Sequence, residues 1–170
     1  MEKLLFLLGC FVGLVLLIAI FAKKYSPAVE KKVYNYKRKQ FFLSRSEHEF
    51  YKVMLTAIGD EYFVFAQVHL PTILEHKIPG QNWRGAFRHI DEKSVDFVLC
   101  NKTYLSPVLA IELDDKSHSR SDRQERDREV ERILSGSGLP LLRIENRSSF
   151  NAEELTLKIR EIIASGNSSN

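Results

Sequence analysis

An uninterrupted apolar stretch of 19 residues, from Leu4 to Ala22, divides this chain into two parts that must fold in different surroundings. At a rise of about 1.5 Å per residue, it would form roughly 28 Å of helix, close to a bilayer core of about 30 Å. A cleaved signal peptide is the alternative, but its apolar core is normally about 7–15 residues long and ends in a small-x-small site. We therefore expect an uncleaved transmembrane anchor over residues 1–22, with the bilayer contacted through residues 4–22.

The charges after this stretch predict its orientation. Between Lys23 and Arg45 there are eight Lys/Arg residues against Glu30 alone, a net charge of +7. Because cytoplasmic flanks of membrane helices are enriched in Lys and Arg, we expect a single-pass protein whose C-terminal part is cytoplasmic. The basic linker over residues 23–42 is expected either to contact anionic headgroups or to act only as a stop-transfer flank.

The rest of the chain has a different balance of charge. From residue 46 onward there are 16 Lys/Arg and 20 Asp/Glu, a net charge of −4. A broad basic footprint for nucleic acid is therefore absent from this part, which argues against tight non-specific DNA binding. Cys10 lies in the apolar stretch and Cys100 ends a predicted strand, so we expect no disulfide between them and a reducing compartment.

Periodicity and turn residues predict one α/β domain over residues 43–165, followed by a flexible tail over 166–170. A capping box, Ser44 with Glu47, opens the first helix, and Gly59 ends it. Loop is expected over 76–86, where proline and glycine are frequent. The predicted order is helix, three strands, helix, strand, helix, which suits a small mixed sheet between helices. The strands are expected at 62–70, 95–100, 108–113 and 139–144, and the later helices at 119–135 and 152–164.

Two of the predicted strands carry carboxylates into apolar surroundings, where an unpaired charge is costly. Asp96 lies in one strand, and Glu112 and Asp114 lie on one face at the end of the next. Three carboxylates converging on one face suit Mg²⁺ or Mn²⁺, which can polarise a phosphoryl oxygen and activate water. His118, four residues beyond Asp114, is a candidate general acid/base or ligand.

Arginines near these acids have two interpretations. Arg120 and Arg123 either belong to a solvated helix face or grip phosphate beside the metal. Arg143, in the fourth strand, either pairs with a site carboxylate or contacts phosphate. These residues are therefore candidates for nucleic-acid binding.

The motifs together resemble the PD-(D/E)XK nuclease-like superfamily. The resemblance spans roughly residues 43–145, and its closest branch is that of the very-short-patch repair endonucleases; the nearest match is a bacterial domain family of uncharacterised function behind a membrane helix. It implies a restriction-endonuclease-like sandwich. The motifs that carry it are Gln67, Val95-Asp96-Phe97, Glu112-Leu113-Asp114-x-x-x-His118 and Gly138-x-x-x-x-Arg143.

The resemblance also implies roles for individual residues. Asp96 and Glu112 match the metal-binding acids, and Glu47 matches the acid on the first helix. Gln67 and His118 match a glutamine and a histidine of relatives. Asp114 occupies the position where the signature has lysine. Lys116 in the following loop is the candidate to replace that lysine, and it is also a candidate for nucleic-acid binding.

We therefore expect a metal-dependent nuclease-like domain at the bacterial inner membrane, acting on DNA in preference to RNA. One alternative is a catalytically degenerate nuclease fold that binds nucleic acid or a protein. Another is a membrane-tethered interaction module that binds no nucleic acid.

Overall fold

The computed structural model of the chain describes residues 1–24, 33–114, 121–147 and 149–167. It has two compact units, Met1–Gln40 and Phe41–Asn170. In the first, helix α1 spans Glu2–Lys24. Its segment Glu2–Phe21 has a mean hydropathy of 3.1 and is long and apolar enough to cross a membrane. A signal sequence near an N-terminus has the same length and composition. These two properties therefore establish a helix that is long and apolar enough to span a membrane, and no more.

The second unit is a mixed α/β domain. Its helices are α2 (Arg45–Ile58), α3 (Leu70–Ile73), α4 (Trp83–Ile90), α5 (Ser121–Gly136) and α6 (Ala152–Asn167). Its strands are β1 (Tyr62–His69), β2 (Ser94–Asn101), β3 (Pro107–Asp114) and β4 (Leu141–Glu145). The four predicted strands are all present, which confirms a small mixed sheet.

The sheet order is β1-β2-β3-β4. Strands β1, β2 and β3 are successively antiparallel, and β4 runs parallel to β3. The connection from β3 to β4 passes through α5, as a parallel pair requires a crossover. The ends of β1 and β3 and the start of β2 therefore meet at one end of the sheet.

Helices cover both faces of the sheet. On one face, α2 and α6 pack against it through Phe50, Met54, Leu155 and Ile159, all buried. The other face meets α5 and the α3–α4 connection through a second cluster of buried side chains, which includes Leu70, Ile90, Val98, Ala110, Val130 and Leu134. A helix–sheet–helix sandwich with two apolar layers results.

Helix α4 differs from the prediction, which placed loop over residues 76–86. The helix begins after Asn82, whose side-chain oxygen accepts a hydrogen bond from the Gly85 backbone N–H at 3.2 Å. It ends at buried Ile90, which anchors it to the second apolar cluster. Local glycine and proline indicated a loop, whereas an N-cap and one tertiary contact stabilise a helix.

The C-terminal helix also differs from the prediction. Helix α6 continues to Asn167, across the start of the predicted tail.

Candidate functional site

One polar residue in each strand falls on a single row across the sheet. Glu112 and Arg143 are direct partners in the parallel ladder between β3 and β4. Asp96 lies one residue beyond the last antiparallel pair of β2 with β3, beside Glu112. Gln67 lies beside Asp96, between two successive pairs of β1 with β2. We call this set the polar row: Gln67, Asp96, Glu112 and Arg143.

Asp96 is only partly accessible, because β1 and β3 flank it on both sides. Its Oδ2 accepts a hydrogen bond from the Leu113 backbone N–H at 2.8 Å. Burial raises the pKa of Asp96, and the nearby carboxylates of Glu47 and Asp114 raise it further. The Leu113 N–H and the Gln67 side chain oppose that rise by hydrogen bonding to the charged form.

Glu112 has the most perturbed acidity that the described residues show. Burial is the main cause and raises the pKa of its carboxyl to about 8, with repulsion from Asp96 next in importance. The Arg143 guanidinium opposes the shift but does not cancel it. Two acids that both resist ionisation therefore lie side by side on neighbouring strands, an arrangement typical of functional sites.

Arg143 holds Asp114, the third predicted acid. Its Nη1 donates to Asp114 Oδ1 at 2.6 Å, and its Nη2 donates to the backbone oxygen of Asp127 on α5 at 3.0 Å. A weaker ion pair joins its Nε to Glu131 at 3.8 Å. Of the two roles considered for Arg143, pairing with a carboxylate is the one present here, and it ties β4 to β3 and α5.

Glu47 connects the polar row to the start of α2. Its Oε2 accepts from the Ser44 backbone N–H at 2.7 Å, which completes the predicted capping box. Its Oε1 accepts from Gln67 Nε2 at 3.1 Å. The Glu47 carboxylate therefore does more than cap α2. Its second oxygen accepts a hydrogen bond from Gln67, which also hydrogen-bonds Asp96.

Gln67 has an unusual backbone. Its φ is +54°, in the left-handed region, although it lies inside a strand. Only two non-glycine residues in the described part of the chain have a positive φ, and the other, Leu105, lies in the connection between β2 and β3. Strained backbone persists where surrounding structure over-determines it, and it clusters at sites of function. Sequence patterns carry no signal for this feature.

Several predicted site residues lie outside what the structure describes. His118, Lys116 and Arg120 fall within residues 115–120, and the roles predicted for them stay predictions. Arg123 lies on α5, but its side chain is not among those described.

The predicted ligand set of three acids is not assembled within the described ranges. Among those residues, no three His, Cys, Asp or Glu side chains are grouped so that they could hold a metal ion. Asp114 faces Arg143 instead, as described above. Between described residues, Asp96 and Glu112, the two acids of the polar row, accept no hydrogen bond from an arginine side chain.

Comparison with known protein families places the folded unit in a described family. A family model described as "Protein of unknown function (DUF2726)" matches residues 39–162. No curated protein and no solved structure matches the chain. The matched segment covers the four strands and the polar row.

Proposed function

The chain belongs to the DUF2726 family, whose function is unknown, and we propose that its folded unit is a nuclease-like domain of the PD-(D/E)XK type. It would hydrolyse phosphodiester bonds of DNA with a divalent metal ion. The observation that carries the proposal is the polar row, in which Asp96 and Glu112 adjoin each other with raised pKa values.

The element order supports the fold assignment. Helix α2, the antiparallel strands β1 to β3, the crossover helix α5 and the parallel strand β4 follow the order that the PD-(D/E)XK resemblance implies, with α3 and α4 inserted between β1 and β2. The acids that match its signature lie at one end of this sheet, as a shared site requires.

The two adjoining acids fit Mg²⁺ or Mn²⁺. Such hard cations take carboxylate oxygens, and Mg²⁺ is commonly held by one or two carboxylates together with water and substrate phosphates. Burial and mutual repulsion disfavour two negative charges at Asp96 and Glu112, so a cation there would relieve both. Arg143 occupies Oδ1 of Asp114, so Asp114 would join as a third ligand through its other oxygen or by releasing Arg143.

The side chains around the acids would position the reactants. A bound divalent ion would supply Lewis acidity and an activated water. The Gln67 amide orients Glu47 and Asp96, and Arg143 provides a fixed cation near the phosphate. In this proposal, His118 serves as general acid/base and Lys116 replaces the missing signature lysine.

Helix α1 would tether this activity to the bacterial inner membrane. The basic residues between Lys23 and Arg45 would keep the folded unit on the cytoplasmic side. The substrate in this arrangement is DNA that comes close to the membrane.

Metal titration of the full chain in detergent micelles tests the proposal. We expect Mn²⁺ binding by calorimetry, and we expect Asp96→Asn and Glu112→Gln each to weaken it by at least about tenfold. Asp60→Asn is the matched control, because its exposed carboxylate lies outside the polar row. Cleavage of labelled DNA should need the metal and stop in both site variants. Unaltered Mn²⁺ affinity in both variants, or no cleavage with metal bound, would refute the proposal.

A second candidate is a degenerate fold that binds nucleic acid without cleaving it. The Arg143–Asp114 ion pair favours it, since it neutralises an acid without any metal. Salt-sensitive, metal-independent DNA binding that survives Asp96→Asn, with no cleavage, would support this candidate over the first.

A further inference from the structure

Helix α4 is the most exposed helix packed at the sheet end that carries the polar row. Of its eight residues, only Ile90 is buried. Trp83 and Phe87, four residues apart and therefore on one face, remain 46% and 38% exposed. Phe87 contacts the His76 ring at 5.2 Å between centroids, which holds the aromatic pair against the preceding loop.

Cations surround this aromatic face. The Arg84 guanidinium carbon lies 5.0 Å from the Trp83 ring centroid, and Lys77 Nζ lies 6.0 Å from it. Arg88 follows Arg84 by four residues, so the two arginines lie on one face of α4, next to the face that carries Trp83 and Phe87. Within the described ranges, neither arginine has an ion pair with a carboxylate.

The cations of this region are concentrated around the aromatic side chains. Residues 76–90 contain three Lys/Arg, two histidines and no Asp or Glu, whereas acids flank them at Glu75, Asp91 and Glu92, and His89 pairs with Glu129 of α5. From residue 46 onward, the chain as a whole has a net charge of −4. The exposed aromatic side of α4, with Arg84 and Lys77 close to the Trp83 ring, is complementary to a polyanion that has flat apolar groups.

This surface adjoins the candidate site. Helix α4 leads into β2, where Asp96 is the third residue, and β1 with Gln67 ends just before α3. Ile90 packs in one cluster with Val68 and Val95, the neighbours of those two polar-row residues. Helix α4 therefore lies at the sheet end where the acids meet.

We propose that α4 binds single-stranded nucleic acid, with a base stacked on Trp83 and backbone phosphates paired with Arg84, Arg88 and Lys77. This inference rests on the proposed nuclease function and specifies that the nucleic acid it acts on is single-stranded. Single strands offer unpaired base faces for stacking, and proteins bind them by combining aromatic side chains with a cationic groove. Duplex DNA, an anionic membrane or an acidic protein would not engage the indole ring by base stacking.

Trp83 is the only tryptophan in the chain, so its fluorescence reports on this surface alone. The experiment titrates oligothymidylate into the full chain in detergent micelles, with EDTA present to prevent cleavage. We expect saturable quenching of the Trp83 emission and an affinity that falls with salt. Quenching should persist in Asp60→Asn, because that exposed acid lies outside both α4 and the polar row.

Variants separate stacking from charge. By anisotropy of labelled oligothymidylate, Trp83→Ala should weaken binding by at least about fivefold, whereas Trp83→Phe should retain most of it. The double variant Arg84→Ala/Arg88→Ala should lower both the affinity and its salt dependence. Lys102→Ala is the matched control, since Lys102 lies over Phe63 at 5.4 Å, at the opposite end of β2.

The outcomes distinguish this inference from the proposed function. Quenching without any DNA cleavage would support α4 as the binding surface while refuting the nuclease activity. Cleavage without quenching, or binding unchanged by Trp83→Ala, would overturn the inference and leave the nuclease proposal standing. Stronger binding to duplex DNA or to anionic vesicles than to oligothymidylate would also overturn it.

Discussion

At the scale of single residues, Glu112 is the side chain whose ionisation is most altered by folding. Its pKa is raised to about 8, whereas an unperturbed glutamic acid titrates near 4.5. Between these two values the folded protein keeps a proton that the unfolded chain has lost. The contribution of Glu112 to the free energy of unfolding is therefore full at low pH and is lost as the pH rises toward 8.

We expect metal-free protein to lose stability from pH 5 to pH 8 more steeply than Glu112→Gln, by at most about 1.4 kcal/mol per pH unit. Chemical denaturation in EDTA at several pH values measures this difference. Glu92→Gln, on an exposed turn, is the control and should follow the parent protein. Equal pH slopes for the parent and Glu112→Gln would contradict the raised pKa.

The backbone of Gln67 is the second residue-scale feature with a measurable consequence. A β-branched residue tolerates its φ of +54° poorly, so we expect Gln67→Val to lower the free energy of unfolding by about 1–3 kcal/mol. Phe65→Val, at another exposed position of β1, is the control and should cost less. Equal stability of the two variants in urea would show that the strain is absent.

At the scale of elements, α5 combines a charged sequence with very few apolar contacts. It docks on the sheet through Val130 and Leu134, both buried, with Ile133 partly buried beside them. The backbone oxygen of Asp127, on the same helix, accepts a hydrogen bond from Arg143. The position of α5 therefore helps to hold Arg143, the cation of the polar row, in place.

We expect Leu134→Ala to lower the free energy of unfolding by about 2–5 kcal/mol, because it removes a fully buried side chain. Leu157→Ala on α6 is the matched control, since Leu157 is 70% exposed and should cost little. Urea denaturation of both variants provides the comparison. A loss below about 1 kcal/mol for Leu134→Ala would mean that α5 is not held by this contact.

At the scale of the whole molecule, the apolar helix and the basic residues after it predict a topology. We expect alkaline phosphatase fused after Asn170 to be inactive in a bacterial host, and green fluorescent protein at the same place to fluoresce. Replacing Lys23 and Lys24 by Ala while adding lysines before Leu4 should shift a fraction of molecules to the opposite orientation. Active phosphatase in the parent fusion would refute a cytoplasmic domain.

The sequence predicted most of the fold, because each strand and long helix carries its own periodic signal. The Ser44–Glu47 box and Gly59 marked both ends of α2, and the structure confirms them. Helix α4 was missed because Gly85 and its neighbours indicate a loop when contacts are ignored. The four-residue spacing of Trp83 and Phe87 is typical of one helix face and is a signal that the sequence itself carries.

For the candidate site, the sequence alone determined which acids share strands, because alternation and spacing are local properties of the chain. Only the tertiary structure decided which side chains face each other: strand register joins Glu112 to Arg143, and a strained backbone brings Gln67 between Glu47 and Asp96. The capture of Asp114 by Arg143 likewise depends on a parallel pairing between strands 29 residues apart. Such long-range geometry arises from packing across the sheet, and no local pattern of residues encodes it.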